Sequence, residues 1–198
     1  MSEATISSHM PILRWLLDQY PADPDEGARI AVEFGMGEYS TPLLWETCEL
    51  VISIEMNSPE WFMAITSHAS NNLSVFLGDS IPYECKKWHS TWWPYYAESM
   101  NDAEEFISGC DLTLIDGHGD TRAEQANCMV GRAPIIVVHD SQHPHTDLGL
   151  RHEGYARIDF KDFMRPDDLP AGDVWPWTTV LVNCPERAKA IAEWRDSQ

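Results

Sequence analysis

Short apolar runs alternate with amphipathic stretches along most of the chain. The runs that predict strands are 29–34, 51–55, 73–79, 110–116, 133–140, 156–160 and 178–183. Helical spacing, or a capping residue followed by proline, predicts helices at 10–20, 40–50, 58–68, about 101–108, about 121–130 and 185–196. The strands up to residue 140 are apolar on both faces and alternate with helices. This pattern predicts an α/β fold with a doubly wound, mostly parallel seven-stranded sheet and helices on both faces.

The length of 198 residues predicts one domain that spans 1–198. It would carry an N-terminal helix at about 10–20 and an aromatic insertion at about 80–108. The aromatic residues of the insertion are Trp88, Trp92, Trp93, Tyr95 and Tyr96. Side chains of this type suit a lid that stacks on sugars or planar rings, and they equally suit a hydrophobic plug or a dimer interface.

The net charge of -19, from 32 acidic against 13 basic residues, argues against a nucleic-acid partner, because such binding depends on cationic side chains. No apolar stretch reaches the roughly 18 residues that a membrane span requires, so no membrane partner is expected. The five cysteines are odd in number and form no CxxC pair, which predicts reduced thiols in a cytoplasmic protein.

Acidic residues stand at the ends of the first five predicted strands. They are Glu33, Glu55, Asp79, Asp116 and Asp140. Parallel sheets of this kind bind ligands beyond the carboxyl ends of their strands. The acidic residues therefore predict a binding site at that edge.

The stretch "AVEFGMGEYST" (31–41) passes from the first strand to the next helix through Gly35 and Gly37. Glycine lets a ligand approach the main chain, and the helix start directs free N–H groups at it. Glu55 follows Gly35 by 20 positions, the spacing of an acid that binds ribose hydroxyls. This arrangement of a glycine turn and an acid suits both a dinucleotide and a cationic nucleoside. Ser40 at the third glycine position and Glu33 before the turn favour the cationic nucleoside.

These segments resemble the class I S-adenosylmethionine-dependent methyltransferases. "EFGMGEYST" is similar to the glycine motif of that family, "ISIEMN" to its ribose-binding acid, and "FLGDS" to its adenine-contacting turn. The resemblance implies a Rossmann-like fold with S-adenosyl-L-methionine as cofactor. The cofactor-binding residues that it implies are Glu33, Gly35, Gly37, Ser40, Glu55, Asp79 and Ser80.

"LIDGHGDTR" and "VVHDSQHPH" end the fourth and fifth strands. They resemble the methyltransferase branch that includes cephalosporin-hydroxylase-like and glucuronoxylan methyltransferase proteins. The resemblance implies catalytic roles for Asp116, His118 and Asp140, with His118 as a candidate base. It also implies that Asp116 and Asp140 lie near the acceptor or hold a divalent cation such as Mg, Mn or Co.

The neighbouring residues can be explained without a catalytic role. His143 and His145 flank Pro144 in a predicted loop and are expected at the surface. Arg122 can pair with a nearby acid or grip an anionic substrate.

The predicted function is methyl transfer to a hydroxyl of a small molecule or glycan, by a protein that is a candidate homodimer. Three alternatives remain. They are an NAD-dependent oxidoreductase, a metal-dependent hydrolase that uses the His/Asp cluster, and a non-catalytic nucleotide-binding module.

Overall fold

The computed structural model describes residues 8–20, 29–55, 72–76, 109–117, 119–166 and 175–198. The strands are β1 (Ile30–Phe34), β2 (Leu50–Glu55), β3 (Asn72–Phe76), β4 (Leu112–Ile115), β5 (Ile135–His139), β6 (Ala156–Phe160) and β7 (Thr178–Val182). The helices are α1 (Met10–Gln19), α2 (Ser40–Thr47), α3 (Arg122–Met129), α4 (Pro144–Gly149) and α5 (Pro185–Ser197), and a 3₁₀ turn at Gly119–Thr121 precedes α3. Within the described ranges, no helix is both long and apolar enough to cross a membrane.

All the strands belong to one sheet with the order β3-β2-β1-β4-β5-β7-β6. The pairs from β3 to β5 are parallel, whereas β7 runs antiparallel to both β5 and β6. The α/β class is therefore confirmed, and the sheet is mixed. The chain moves outward from β1 to β3 and then returns to place β4 on the other side of β1. This reversal opens a crevice at the carboxyl ends of β1 and β4.

Alternate residues of the strands pack into separate apolar clusters on the two faces of the sheet. Ala31 and Val51 belong to the cluster that includes residues of α1, α2 and α5. Val32 and Ile52 belong to the cluster that includes residues of α3. Helices therefore cover both faces, as the apolar character of the strands predicts.

Two segments differ from the sequence prediction. Helix α2 ends at Thr47 rather than at residue 50, and the backbone N–H groups of Glu49 and Leu50 donate to the carbonyl of Arg29 as the chain turns into β2. The predicted loop at 141–155 contains α4, which begins at Pro144. Proline fits the first turn of a helix, where its missing N–H costs no hydrogen bond. The predicted helices at 58–68 and 101–108 and the aromatic insertion lie outside the described residues.

The described cysteines form no disulfide bonds with one another. Cys48 and Cys110 are buried, and Cys128 and Cys184 are partly buried. Burial raises the pKa of the Cys110 thiol to about 11, so this side chain behaves as an apolar core residue.

Helix α5 is held against the N-terminal helix by aromatic packing. Trp194 stacks on Trp15 with ring centroids 4.7 Å apart and also contacts Phe163 at 5.2 Å. We expect Trp194→Ala to lower the free energy of unfolding by about 2–3 kcal/mol, measured by urea denaturation, because a large packed ring is removed. Glu193→Ala is the control on the same helix, since its exposed pair with Lys189 contributes little. Equal effects of the two substitutions would contradict this packing role.

Candidate functional site

The glycine turn after β1 lies directly against the turn after β4. Gly35 has a φ of +82°, and a Cβ at this position would lie 2.5 Å from the carbonyl oxygen of Asp116 and 2.6 Å from the nitrogen of Gly117. Both distances are far below van der Waals contact, so only glycine fits. The close approach brings the glycine turn and Asp116 together at the crevice.

Glu33 is 0% exposed, and its carboxyl group faces the start of α2. The hydroxyl groups of Ser40, Thr41 and Ser53 donate to it at 2.9, 2.8 and 3.0 Å. Ser40 and Thr41 precede Pro42, a pattern that predicts one of them as the cap of α2, but the N-cap is Tyr39 and has no side-chain cap bond. The hydroxyls of Ser40 and Thr41 donate to Glu33 instead, so Glu33 fixes the start of α2. Direct contact of Glu33 or Ser40 with a cofactor stays a prediction.

Burial controls the protonation of Glu33. Desolvation raises its pKa from the ordinary value of 4.5 to about 8, although the hydroxyl hydrogen bonds act in the opposite direction. The group is therefore largely protonated at neutral pH. The sequence suggested Glu33 as a negative charge beside the ligand, but the structure buries it as a neutral hydrogen-bonding group.

Glu55 supports the glycine turn at the end of β2. Its side chain is 3% exposed, and its Oε2 atom accepts a hydrogen bond of 3.0 Å from the backbone N–H of Met36. Glu55 therefore lies beside the turn, as its spacing from Gly35 predicts. Its hydrogen bonding to a ribose stays a prediction.

Gly37 completes the turn. A Cβ on Gly37 would lie 2.4 Å from the Oγ atom of Ser40, so a larger residue here would displace a hydroxyl that binds Glu33. The predicted site residues Asp79, Ser80 and His118 lie outside the described residues.

Asp116, the residue after β4, joins a hydrogen-bonded chain. Its Oδ1 atom lies 2.8 Å from Nδ1 of His139, and Nε2 of His139 lies 3.0 Å from Oγ of Ser8. Ser8 and His139 are buried, whereas the side chain of Asp116 is 18% exposed. The exposed fraction leaves Asp116 accessible to a ligand in the crevice.

Arg122 lies between the two predicted catalytic carboxylates. Its guanidinium is 3.3 Å from Oδ1 of Asp116 and 2.8 Å from Oδ2 of Asp140. It also donates to the backbone carbonyls of Gly117 and His139 at 2.9 and 2.8 Å. The structure thus brings Asp116 and Asp140 together through an arginine. Their joint role as metal ligands stays a prediction, and in this geometry Arg122 supplies the positive charge between them.

The pKa values of both carboxyl groups are lowered. For Asp116, burial alone would raise the pKa, but the His139 ring and Arg122 outweigh it and bring the value to about 2. For Asp140, burial again favours a higher pKa, but His139 and Arg122 outweigh it, so the pKa is lowered. Asp116 therefore carries a full negative charge at the crevice at neutral pH.

His9 is a site residue that the sequence reasoning missed. It precedes α1, is 3% exposed, and its ring lies 4.4 Å from the ring of His139. Neither of its ring nitrogens has a hydrogen-bond partner among the described residues. Burial, reinforced by the nearby His139, lowers its pKa to about 4. No local motif marks His9, because its contacts come from residues more than a hundred positions away.

The outer histidines lie at the surface, as predicted. His143 and His145 are exposed at the start of α4. A cleft of about 410 Å³ lies beside α1. Its lining residues are Met10, Pro11, Arg14, Tyr39 and Met164.

A scan of the sequence against models of known protein families gives no match, and a search of curated proteins gives none either.

The buried Glu33 predicts a pH-dependent stability difference. Between pH 5 and pH 8, the folded state holds the Glu33 proton longer than the unfolded state does, so this group makes the protein less stable as the pH rises. Glutamine keeps the shape and does not titrate. We therefore expect the stability of Glu33→Gln relative to wild type to increase by about 3 kcal/mol over this range, measured by urea denaturation. A difference that does not change with pH would contradict a raised Glu33 pKa.

Arg122 joins the ends of β4 and β5. Arg122→Ala leaves two carboxylates and two backbone carbonyls without this partner, so we expect a loss of about 3–5 kcal/mol in the free energy of unfolding. Arg151→Ala is the matched control, since Arg151 is exposed. A loss below about 1 kcal/mol for Arg122→Ala, the size expected of an exposed ion pair, would show that this network does not hold the site together.

Proposed function

We propose that the protein binds S-adenosyl-L-methionine at the crevice between β1 and β4 and transfers its methyl group to a hydroxyl of a small molecule or glycan. The observation that carries the proposal is the glycine turn at the point where the strand order reverses. In open α/β sheets this point is where ligands bind. The proposal includes the assignment of the sheet to the Rossmann-like methyltransferase fold.

The surroundings of the turn favour a nucleoside over a dinucleotide. Ser40 occupies the position of a third glycine, and its hydroxyl is engaged by Glu33 at 2.9 Å. A pyrophosphate would also meet the negative charge of Asp116, which borders Gly35. A sulfonium is attracted by the same charge. Asp116, rather than the buried Glu33, is therefore the residue that we assign to electrostatic recognition of the methyl donor.

Methyl transfer is an in-line displacement at the methyl carbon, so the acceptor oxygen must be aligned opposite the sulfur. When the acceptor is a hydroxyl, its proton must also be removed. Asp116 is ionised and partly exposed and can accept a hydrogen bond from the acceptor hydroxyl, but a carboxylate with a pKa of about 2 is a weak base. His139 holds Asp116 through the 2.8 Å hydrogen bond and orients it. His118 follows Asp116 by two positions in the sequence and is the candidate that takes the proton. Asp140 acts through Arg122 as a positioning residue.

Calorimetry tests the choice of cofactor. We expect the purified full-length chain to bind S-adenosylhomocysteine and not NAD. Binding of NAD without S-adenosylhomocysteine would favour the oxidoreductase and overturn the proposal. Absence of binding for both ligands would overturn it as well.

A substitution at Glu55 tests the geometry of the same site. Glu55→Gln retains an oxygen that can accept the Met36 N–H and removes the charged acceptor that we assign to the ribose. We expect about tenfold weaker binding of S-adenosylhomocysteine, since a hydrogen bond to a charged group contributes roughly 1.5–3 kcal/mol. Glu49→Gln is the control, because Glu49 is exposed on the approach to β2. Unchanged affinity of Glu55→Gln would remove Glu55 from the cofactor site.

A further inference from the structure

The imidazole of His9 is buried without a hydrogen-bond partner among the described residues, although buried polar groups are normally paired. Leaving two ring nitrogens unsatisfied destabilises the folded chain. The ring lies against His139, whose Nδ1 contacts Asp116. One ligand-donor atom from each of these residues lies within 4.8 Å of the other two. An unpaired donor that faces two further donors indicates a ligand that all three share.

We propose that His9, His139 and Asp116 bind one divalent transition-metal ion. Two imidazole nitrogens and one carboxylate oxygen suit ions such as Zn²⁺, Co²⁺ or Fe²⁺, whereas Mg²⁺ prefers oxygen ligands alone. The site goes beyond the methyl-transfer proposal and differs in its ligands from the Asp116–Asp140 pair that the sequence suggested. With the ion bound, Asp116 is a metal ligand and no longer a free negative charge that faces the methyl donor.

The hydrogen bonds around His139 fit this role. Without metal, Nδ1–H of His139 donates to the ionised Asp116 at 2.8 Å. With an ion in place of that proton, the Nδ1 lone pair is free to bind the ion while Nε2–H donates to Oγ of Ser8, 3.0 Å away. A second hydrogen bond of this kind is what fixes the ring of a metal-binding histidine. Nδ1 and Oδ1 are 2.8 Å apart. Donors that are each about 2.1 Å from one ion lie about 3.0 Å apart at a right angle and about 3.4 Å apart in a tetrahedral site, so metal binding would separate these two atoms by a few tenths of an ångström. The ion takes the place of the proton between them.

The charge around the proposed ligands and the exposure of Asp116 also fit a bound metal ion. Arg122 lies 3.3 Å from Asp116, but its charge is shared with Asp140 at 2.8 Å. Two carboxylates against one guanidinium leave one negative charge for the ion. The partial exposure of Asp116, 18% of its side chain, leaves coordination positions open to water or a substrate. This is the arrangement of a catalytic rather than a closed structural metal site.

The test is a titration of the untagged, chelator-treated full chain with Co²⁺, followed by visible absorption. We expect one equivalent to bind. The informative variant is His9→Phe, which keeps a buried ring of similar size and removes only the unpaired nitrogens. We expect His9→Phe to be at least as stable as wild type without metal and to bind Co²⁺ about 100-fold more weakly or worse.

Two control variants separate the competing explanations. Asp140→Asn removes a charge that Arg122 shares but no proposed ligand, so it is expected to weaken Co²⁺ binding clearly less than His9→Phe does, and asparagine tolerates the positive φ of 52° at this position. His145→Ala removes an exposed imidazole and is expected to keep affinity. Loss of binding in Asp140→Asn with retention in His9→Phe would assign the ion to the Asp116–Asp140 pair. Loss in His145→Ala would assign it to surface histidines. Either result overturns the proposal, as does the absence of binding to wild type.

A measurement on the wild-type protein covers the case in which His9→Phe does not fold. Pulsed EPR with one equivalent of Cu²⁺ counts coordinated imidazoles, and we expect two. One or none would overturn the proposal. Because both experiments use a metal alone, they can fail while S-adenosylhomocysteine still binds, and they can succeed while it does not.

Discussion

The close approach of the turns after β1 and β4 is the constraint on which the site depends. Gly35 lies so near the backbone of Asp116 and Gly117 that no side chain fits between them. This contact joins the two halves of the parallel sheet where the strand order reverses. It also places the glycine turn beside an ionised carboxylate. Both the nucleoside-binding proposal and the catalytic assignment of Asp116 follow from that juxtaposition.

Buried polar groups on the two sides of this contact have different roles. Glu33 lies beneath the turn, is largely protonated, and fixes the start of α2 through neighbouring hydroxyls. Arg122 lies on the other side and holds the ends of β4 and β5 through carbonyls and carboxylates. One acid is thus neutral and structural, whereas Asp116 remains charged and accessible. The difference arises from the partners, since Asp116 has a histidine and an arginine beside it and Glu33 has only hydroxyls.

The sequence predicts the sheet well, because strand periodicity and the alternation of strands with helices are local signals. β1, β2, β4 and β5 lie within the predicted runs or within one residue of them, and Glu55 accepts a hydrogen bond from Met36 in the predicted glycine turn. The side-chain partners were not predictable in the same way. The pairing of Arg122 with a nearby acid, one of the two predicted alternatives, is confirmed. Nothing local indicates that this arginine lies between Asp116 and Asp140, that Glu33 turns away from the crevice, or that His9 reaches His139 across 130 positions. Those contacts depend on which helix covers which face of the sheet.

The most direct measurement is a crystal structure of the full chain with S-adenosylhomocysteine. The account predicts that the ribose hydroxyls lie within hydrogen-bond distance of Glu55 and that the amino-acid end crosses Gly35 and Gly37. The sulfur should then point toward Asp116. A ligand bound elsewhere on the chain, or with its ribose away from Glu55, would contradict the assignment of this crevice to the methyl donor.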